Sequence, residues 1–105
     1  MPGIDLNYFI RQANKLTEKI EERKKQLADE TVEAKSGEGR VTVVANCVQE
    51  IRSIKIDKSA IDPNDPGMLE DLITAAVNAA LANSRQHMNA ELAKISGGVK
   101  IPGIN

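Results

Sequence analysis

The sequence predicts an α+β domain in which two long helices flank a three-stranded antiparallel meander, in the order α-β-β-β-α. Apolar residues recur at heptad-like spacing from about residue 5 to 30, and β-branched segments broken by turn residues follow. Residues 66–96 then carry an apolar stripe at three- and four-residue spacing. With 105 residues the chain has the length of one domain. We therefore expect a single domain over residues 1–105, with flexible ends at 1–4 and 99–105.

The first helix is predicted from a seam of residues that repeats every three or four positions. Its members are Leu6, Phe9, Ala13, Leu16, Ile20, Arg23, Leu27 and Glu30. The seam is apolar at first and charged later. We expect this helix to pack along its first half and to be partly solvated near Arg23, with Leu27 returning to a core.

The middle of the chain predicts three strands. Residues 31–36 and 40–46 are joined by Gly37-Glu38-Gly39, where glycine adopts positive φ at low steric cost. A second connection at residues 46–50 leads to the strand at 51–57, in which Ile54 and Ile56 share one face. These segments form the meander.

The second helix begins at Asp65-Pro66 and ends at the paired glycines that follow Ser96. The Asp65 side chain can accept amide hydrogens of the first turn, and Pro66 suits the first helical position. One face of this helix combines aliphatic and small residues, and we expect it to serve the core or a dimer contact. That face consists of Leu72, Ile73, Ala76, Val77, Ala80 and Leu81.

The amino-acid composition restricts how the protein can assemble and bind DNA. One Tyr, one Phe and no Trp make the core aliphatic and thin, so we expect a homodimer to bury the remaining apolar surface. The 14 Lys and Arg are balanced by 15 Asp and Glu, for a net charge of -1. Any binding of DNA must therefore depend on local patches of positive charge.

The residues that usually carry chemistry are sparse. Cys47 is the single cysteine and His87 the single histidine, which is too few for the usual metal sites. We expect no catalysis, no cofactor, no metal and no small-molecule substrate. The lone cysteine, the lack of an apolar leader and the lack of a membrane-length apolar run predict a cytoplasmic protein that does not contact membranes.

Positive residues spaced by four form a slowly rotating row on the first helix. This basic stripe consists of Arg11, Lys15, Lys19 and Arg23, and Lys24 and Lys25 extend it. Such a row can lie along DNA phosphates. The same residues can instead be solvated partners of Glu18, Glu21 and Glu22 at helical spacing. Second candidates for DNA contact are Arg85, Lys94 and Lys100.

Several motifs together resemble the YbaB/EbfC family of bacterial nucleoid-associated proteins, over roughly residues 8–104. They are GEGRVTV at 37–43, SIKID at 53–57, DP at 62–63, MLEDLI at 68–73 with AAVNAA at 75–80, and ISGG at 95–98 with IPG at 101–103. The resemblance implies a small cytoplasmic, tweezer-shaped homodimer that binds double-stranded DNA. It also implies a role on the nucleoid, in chromosome organisation or gene regulation.

A different class of function fits the same order of elements. In a prefoldin-like chaperone or protein adaptor with no DNA role, two terminal helices pair as an arm whose tip holds apolar segments of a client. That function needs exposed apolar surface at the tip. The sequence predicts a mainly polar tip, with Tyr8 and Phe9 as the apolar contacts; its polar side is Asn7, Gln12, Met88 and Glu91.

Overall fold

The computed structural model describes residues 5–97 and confirms the α-β-β-β-α order. The elements are α1 (Leu6–Leu27), β1 (Thr31–Ser36), β2 (Val41–Asn46), β3 (Ile51–Ile56), a 3-10 helix (Lys58–Ala60) and α2 (Pro66–Ser96). The 3-10 helix is not predicted from the sequence. The ends predicted to be flexible, residues 1–4 and 99–105, lie outside the described residues.

Both helices begin at aspartate caps. The Asp5 carboxylate accepts a hydrogen bond from the Tyr8 amide at 3.2 Å, and Asp65 accepts one from Met68 at 3.2 Å. Pro66 occupies the first turn of α2, where its missing amide hydrogen costs no helical hydrogen bond. The predicted starts of the two helices are thus confirmed.

The sheet is an antiparallel meander with strand order β1-β2-β3. In β2, Val43 pairs with Ile54 of β3, and Val41 pairs with Ile56. A register shift between Val44 and Ala45 pairs Ala45 with Ile51 and leaves Arg52 as the extra residue of a bulge. Paired residues point to the same side of a sheet, so the isoleucine face of β3, made of Ile51, Ile54 and Ile56, lies on the same side as Val41, Val43 and Ala45.

The core lies between the sheet and α2, which packs on β1 and β2. Its buried members are Ala34, Val41, Val43, Ala45, Ala60, Ala76 and Ala80. Most of these side chains are small, as the composition predicts. The strand β3 lies at the sheet edge, and all six of its residues are exposed. The single chain therefore leaves the isoleucine face largely uncovered.

The first turn of the meander touches α2. Gly37 has φ +58°, and a Cβ added there would lie 2.8 Å from Leu72 Cδ2. The Ser36 hydroxyl also donates to the Leu72 carbonyl at 2.6 Å. A larger residue at position 37 would meet both backbone strain and a clash with α2.

The second turn is organised by buried Asn46. Its Oδ1 accepts hydrogen bonds from the amides of Val48 and Glu50, at 3.1 and 2.9 Å. Its Nδ2 donates to the carbonyl of Ala28, just after α1, at 3.1 Å. The end of α1 is thereby bound to the β2–β3 turn.

The two helices run antiparallel, because Lys19 of α1 lies beside Ile95 of α2 while Arg23, one turn later, contacts Glu91, one turn earlier. The prediction that α1 packs along its first half is wrong for the single chain. Every residue from 5 to 15 is exposed, and Leu27 is fully buried. The reason is the length of α2, which ends beyond Ile95 at the level of Lys19, so that α2 offers the first half of α1 no neighbour.

Candidate nucleic-acid interface

The exposed residues of the basic stripe are Arg11, Lys15 and Lys19. Within residues 5–97 none of the three forms a salt bridge with a carboxylate; near them on α1, Lys24 approaches Glu21 at 3.9 Å. Their side chains can therefore reach an anion without first leaving an acidic partner. They form a row of positive charge that starts with Lys19, at the level where α2 ends, and continues through Lys15 and Arg11 along the half of α1 that projects past α2.

Arg23, the last residue of the predicted stripe, lies in a different environment. Each four-residue step rotates the row by about 40° around a helix of about 3.6 residues per turn. Three steps bring Arg23 towards the side of buried Leu27, and its side chain is 20% exposed. The rotation thus turns Arg23 away from the other three cations and towards α2.

Arg23 binds the carboxylates of Glu30 and Glu91, and no spacing in the sequence links Glu30 with Glu91. Its guanidinium donates to both oxygens of Glu30, with Nη1–Oε2 at 2.5 Å and Nη2–Oε1 at 3.2 Å, and Nη2 donates to Glu91 Oε1 at 2.6 Å. Lys94 Nζ donates to Glu91 Oε2 at 2.5 Å, and His87 Nε2 lies 3.1 Å from Glu30 Oε1. We call these five residues the Arg23 cluster.

The cluster keeps its carboxylates ionised. Hydrogen bonds from Lys94 and then from Arg23 lower the pKa of Glu91 to about 2. The guanidinium of Arg23, followed by His87, holds the pKa of Glu30 below its ordinary value. The same two carboxylates raise the pKa of Arg23. At neutral pH the charge of Arg23 is already compensated within the chain, which makes it a poor phosphate ligand.

Lys100 lies outside the described residues, and the remaining predicted DNA contacts lie in three places. Lys24 and Lys25 are exposed near the end of α1. Lys94 is 73% exposed but shares Glu91 with Arg23, so the structure brings it next to α1. Arg85 is exposed on α2 and has no hydrogen-bonding or ionic partner among residues 5–97. Lys94 therefore lies closer to the basic stripe than Arg85 does.

The helix face predicted for the core or a dimer serves the core of its own chain. Ala76 and Ala80 are fully buried there, and Leu72, Ile73 and Val77 pack against the same cluster. Leu81 is partly buried. Apolar surface open to a partner lies elsewhere, on β3 and at the start of α1.

The tip of the projecting half of α1 is more apolar than the sequence predicts. Leu6, Phe9 and Ile10 are 68, 57 and 56% exposed, and Tyr8 is 50% exposed. Glu91 and Met88, which are predicted to lie at the tip, are partly buried on α2 instead. The error has a physical cause, since among residues 5–97 the tip is formed by α1 alone, where α1 extends past the end of α2.

Sequence reasoning missed Glu30, Glu91 and Asn46. Arg23 and Glu91 are 68 positions apart, and no local spacing connects them. Asn46 had a usable signal, because asparagine at the end of a strand, before a turn, often accepts a hydrogen bond from the backbone amide two residues further on.

Reactive groups are few in the part of the chain that the structure describes. No group of three or more His, Cys, Asp or Glu side chains there is placed to hold a metal ion. Burial raises the pKa of the Cys47 thiol, which disfavours the reactive thiolate. Neither helix between residues 5 and 97 has the length and hydropathy required to span a bilayer.

Several known proteins are similar to this chain in sequence. Residues 1–99 match the sequence profile of the YbaB/EbfC DNA-binding family. A nucleoid-associated protein of Myxococcus xanthus (strain DK1622) is 86% identical over 104 residues, which cover 99% of each chain. A nucleoid-associated protein of Anaeromyxobacter dehalogenans (strain 2CP-C) is 48% identical over 96% of this chain and 98% of its own.

A solved structure shares the fold. The crystal structure of uncharacterized protein HP0035 from Helicobacter pylori superposes with a TM-score of 0.77 at 17% identity, covering 89% of this chain and 98% of that one. At this identity the likeness concerns the fold alone.

Proposed function

Because the chain belongs to the YbaB/EbfC DNA-binding family, we propose that it binds duplex DNA as a homodimer through the cations of α1. Its role is that of a non-catalytic, nucleoid-associated protein in the cytoplasm, acting in chromosome organisation or gene regulation. The observation that carries the proposal is the row Arg11, Lys15 and Lys19, exposed and without acidic partners within residues 5–97. Phosphate contacts from such a row give affinity that depends little on DNA sequence.

Two copies make the row effective. A subunit with net charge -1 as a whole attracts a polyanion such as DNA only weakly, so the local row of cations must supply the affinity. A dimer presents this row twice. Six such residues, each on one phosphate, would give a slope of about -5 in a plot of log affinity against log salt. The proposed interface omits Arg23, because its charge is already paired.

A fluorescence anisotropy titration of a short duplex at several salt concentrations tests this proposal. We expect affinity to fall steeply and linearly with log salt, and to differ little between duplexes of unrelated sequence. An affinity for the duplex that is independent of salt concentration would contradict binding through phosphate contacts. Absence of binding even at low salt would contradict DNA binding itself.

We place the dimer contact on the isoleucine face of β3. Ile51, Ile54 and Ile56 are 38, 43 and 38% exposed although they lie on the helix-covered side of the sheet, and nearby Ile61 is 56% exposed. An edge strand with an uncovered apolar face favours association with another chain. A second copy supplies the same face by two-fold symmetry.

Replacing Ile54 with Asp is expected to shift the protein from dimer to monomer, because a buried carboxylate without a partner is costly. Light scattering after size-exclusion chromatography measures the mass. Ser53→Asp is the matched control, since Ser53 is exposed on the same strand but faces the other side. A dimer that tolerates Ile54→Asp as well as Ser53→Asp would move the contact elsewhere.

The apolar tip of α1 supports a second candidate, the prefoldin-like chaperone or adaptor. Leu6, Phe9 and Ile10 are more than half exposed and are available to an apolar client segment. Suppression of the aggregation of an unfolding client, lost in a variant with Leu6 and Phe9 replaced by Ser and accompanied by no DNA retention, would favour this function over DNA binding.

A further inference from the structure

The carboxyl-terminal end of α1 is held to the rest of the chain at one point, by hydrogen bonds that its backbone carbonyls accept. The Cys47 amide donates to the Leu27 carbonyl at 3.1 Å. The Ala28 carbonyl accepts from Asn46 Nδ2 at 3.1 Å and from an Arg52 Nη at 2.8 Å. These bonds fix the position of the helix end, but hydrogen bonds at one end do not by themselves fix the direction of a helix.

The second point of attachment is Arg23, one turn before Leu27. Its guanidinium binds Glu91 of α2 and Glu30 in the segment that leads to β1. The contact is shielded, since the Arg23 and Glu91 side chains are 20 and 16% exposed. An open groove of about 280 Å³ lies beside this contact, bordered by Lys19, Arg23 and Ile95 among others. Apolar packing is therefore incomplete just where the helix begins to project.

We propose that the Arg23 cluster positions the projecting half of α1, and so determines where Arg11, Lys15 and Lys19 meet DNA. This inference rests on the proposed function of DNA binding. Arg23 and Glu91 are positioning residues and do not themselves contact phosphate.

The geometry makes direction important. Arg11 lies 12 residues before Arg23, about 18 Å along the helix at about 1.5 Å per residue. A tilt of about 10° at Arg23 moves Arg11 by about 3 Å, close to the rise of about 3.4 Å of DNA axis for each phosphate of one strand. In a dimer two such rows must match the same duplex, so loss of direction lowers affinity even though every cation remains.

The proposal predicts the opposite sign from simple electrostatics. Glu91→Gln removes a negative charge, releases Lys94 from its ionic partner and leaves Arg23 paired with Glu30 alone, so charge alone predicts tighter binding of DNA. If the cluster positions α1, the same substitution weakens binding, by about three- to tenfold through reduced preorganisation, with the salt slope unchanged. Glu30→Gln is expected to act in the same direction and serves as a second variant if Glu91→Gln is poorly folded.

Glu18→Gln is the matched control. Glu18 is exposed on α1 outside the cluster, and its replacement removes the same charge without altering any contact of Arg23. We expect it to leave affinity unchanged or to raise it slightly. Unchanged or tighter binding by a folded Glu91→Gln or Glu30→Gln variant would overturn the proposal.

A measurement without DNA separates this inference from the proposed function. Spin labels on cysteines introduced at exposed Gln12 and Asn89, with Cys47 replaced by Ala and labelled chains diluted in unlabelled ones, report the distance between α1 and α2. We expect Glu91→Gln to broaden that distance distribution and Glu18→Gln to leave it narrow. An unchanged distribution for Glu91→Gln refutes the positioning role. If the unmutated protein binds no DNA while the variant still broadens, the DNA-binding proposal fails and the positioning of α1 stands.

Discussion

Replacing Lys15 and Lys19 together with Glu is expected to weaken DNA binding by at least about tenfold at moderate salt, with the fold and the dimer intact. Both lysines are exposed on α1, Lys15 in its projecting half and Lys19 at the level where α2 ends, and neither has a salt-bridge partner within residues 5–97. The double substitution changes each subunit by four charge units and removes two phosphate-binding side chains. The salt slope should therefore fall by about 0.9 for each phosphate that is no longer neutralised, in addition to the decrease in affinity.

The control for this prediction has the same change in net charge at another place. Lys55 and Lys58 are exposed on β3 and in the 3-10 helix, away from α1, and their double replacement by Glu lowers the charge equally. Anisotropy titrations of both variants, with circular dichroism to verify folding, measure the difference. Equal decreases in affinity for the two variants would mean that net charge governs binding, and an unaltered affinity for the Lys15 and Lys19 variant would place the interface elsewhere.

The parts of the fold that the sequence predicts correctly depend on short-range signals. Asp65-Pro66 fixes the start of α2, and Gly37 with Gly39 fixes the first turn, because a cap or a positive φ involves only neighbouring residues. The alternation in residues 51–57 likewise predicts that Ile54 and Ile56 share a face. It does not predict that α2 stops short of covering that face.

The parts that the sequence does not predict depend on how distant elements meet. The apolar seam of α1 is present from Leu6 to Leu27, but which half is buried depends on where α2 ends. The pairing of Arg23 with Glu91 depends on the antiparallel alignment of two helices far apart in the chain. Four-residue spacing predicts a row of cations that rotates slowly around the helix. Whether that rotation brings Arg23 to carboxylates depends on the side of α1 on which α2 packs.

Replacing Leu27 with Ala should lower the free energy of unfolding by about 2–5 kcal/mol, the range for a leucine removed from a well-packed interior. Leu27 is the largest of the fully buried side chains within residues 5–97, at 0% exposure. It is also the last residue of α1. Its truncation leaves a cavity beneath the β2–β3 turn, where Cys47 binds the Leu27 carbonyl. The core consists of alanine and valine, whose short side chains cannot repack to fill such a cavity.

Leu6→Ala provides the comparison, since it makes the same chemical change in the same helix at a residue that is 68% exposed. Helix propensity then cancels between the two variants, and the difference in unfolding free energy measures burial alone. Urea unfolding at one fixed protein concentration gives both values, which keeps any dimer contribution constant. Similar stabilities for Leu27→Ala and Leu6→Ala would show that the end of α1 is not packed as described. A large decrease in stability confined to Leu27→Ala would establish that α1 is held to the sheet at its end, the arrangement on which the direction of its projecting half depends.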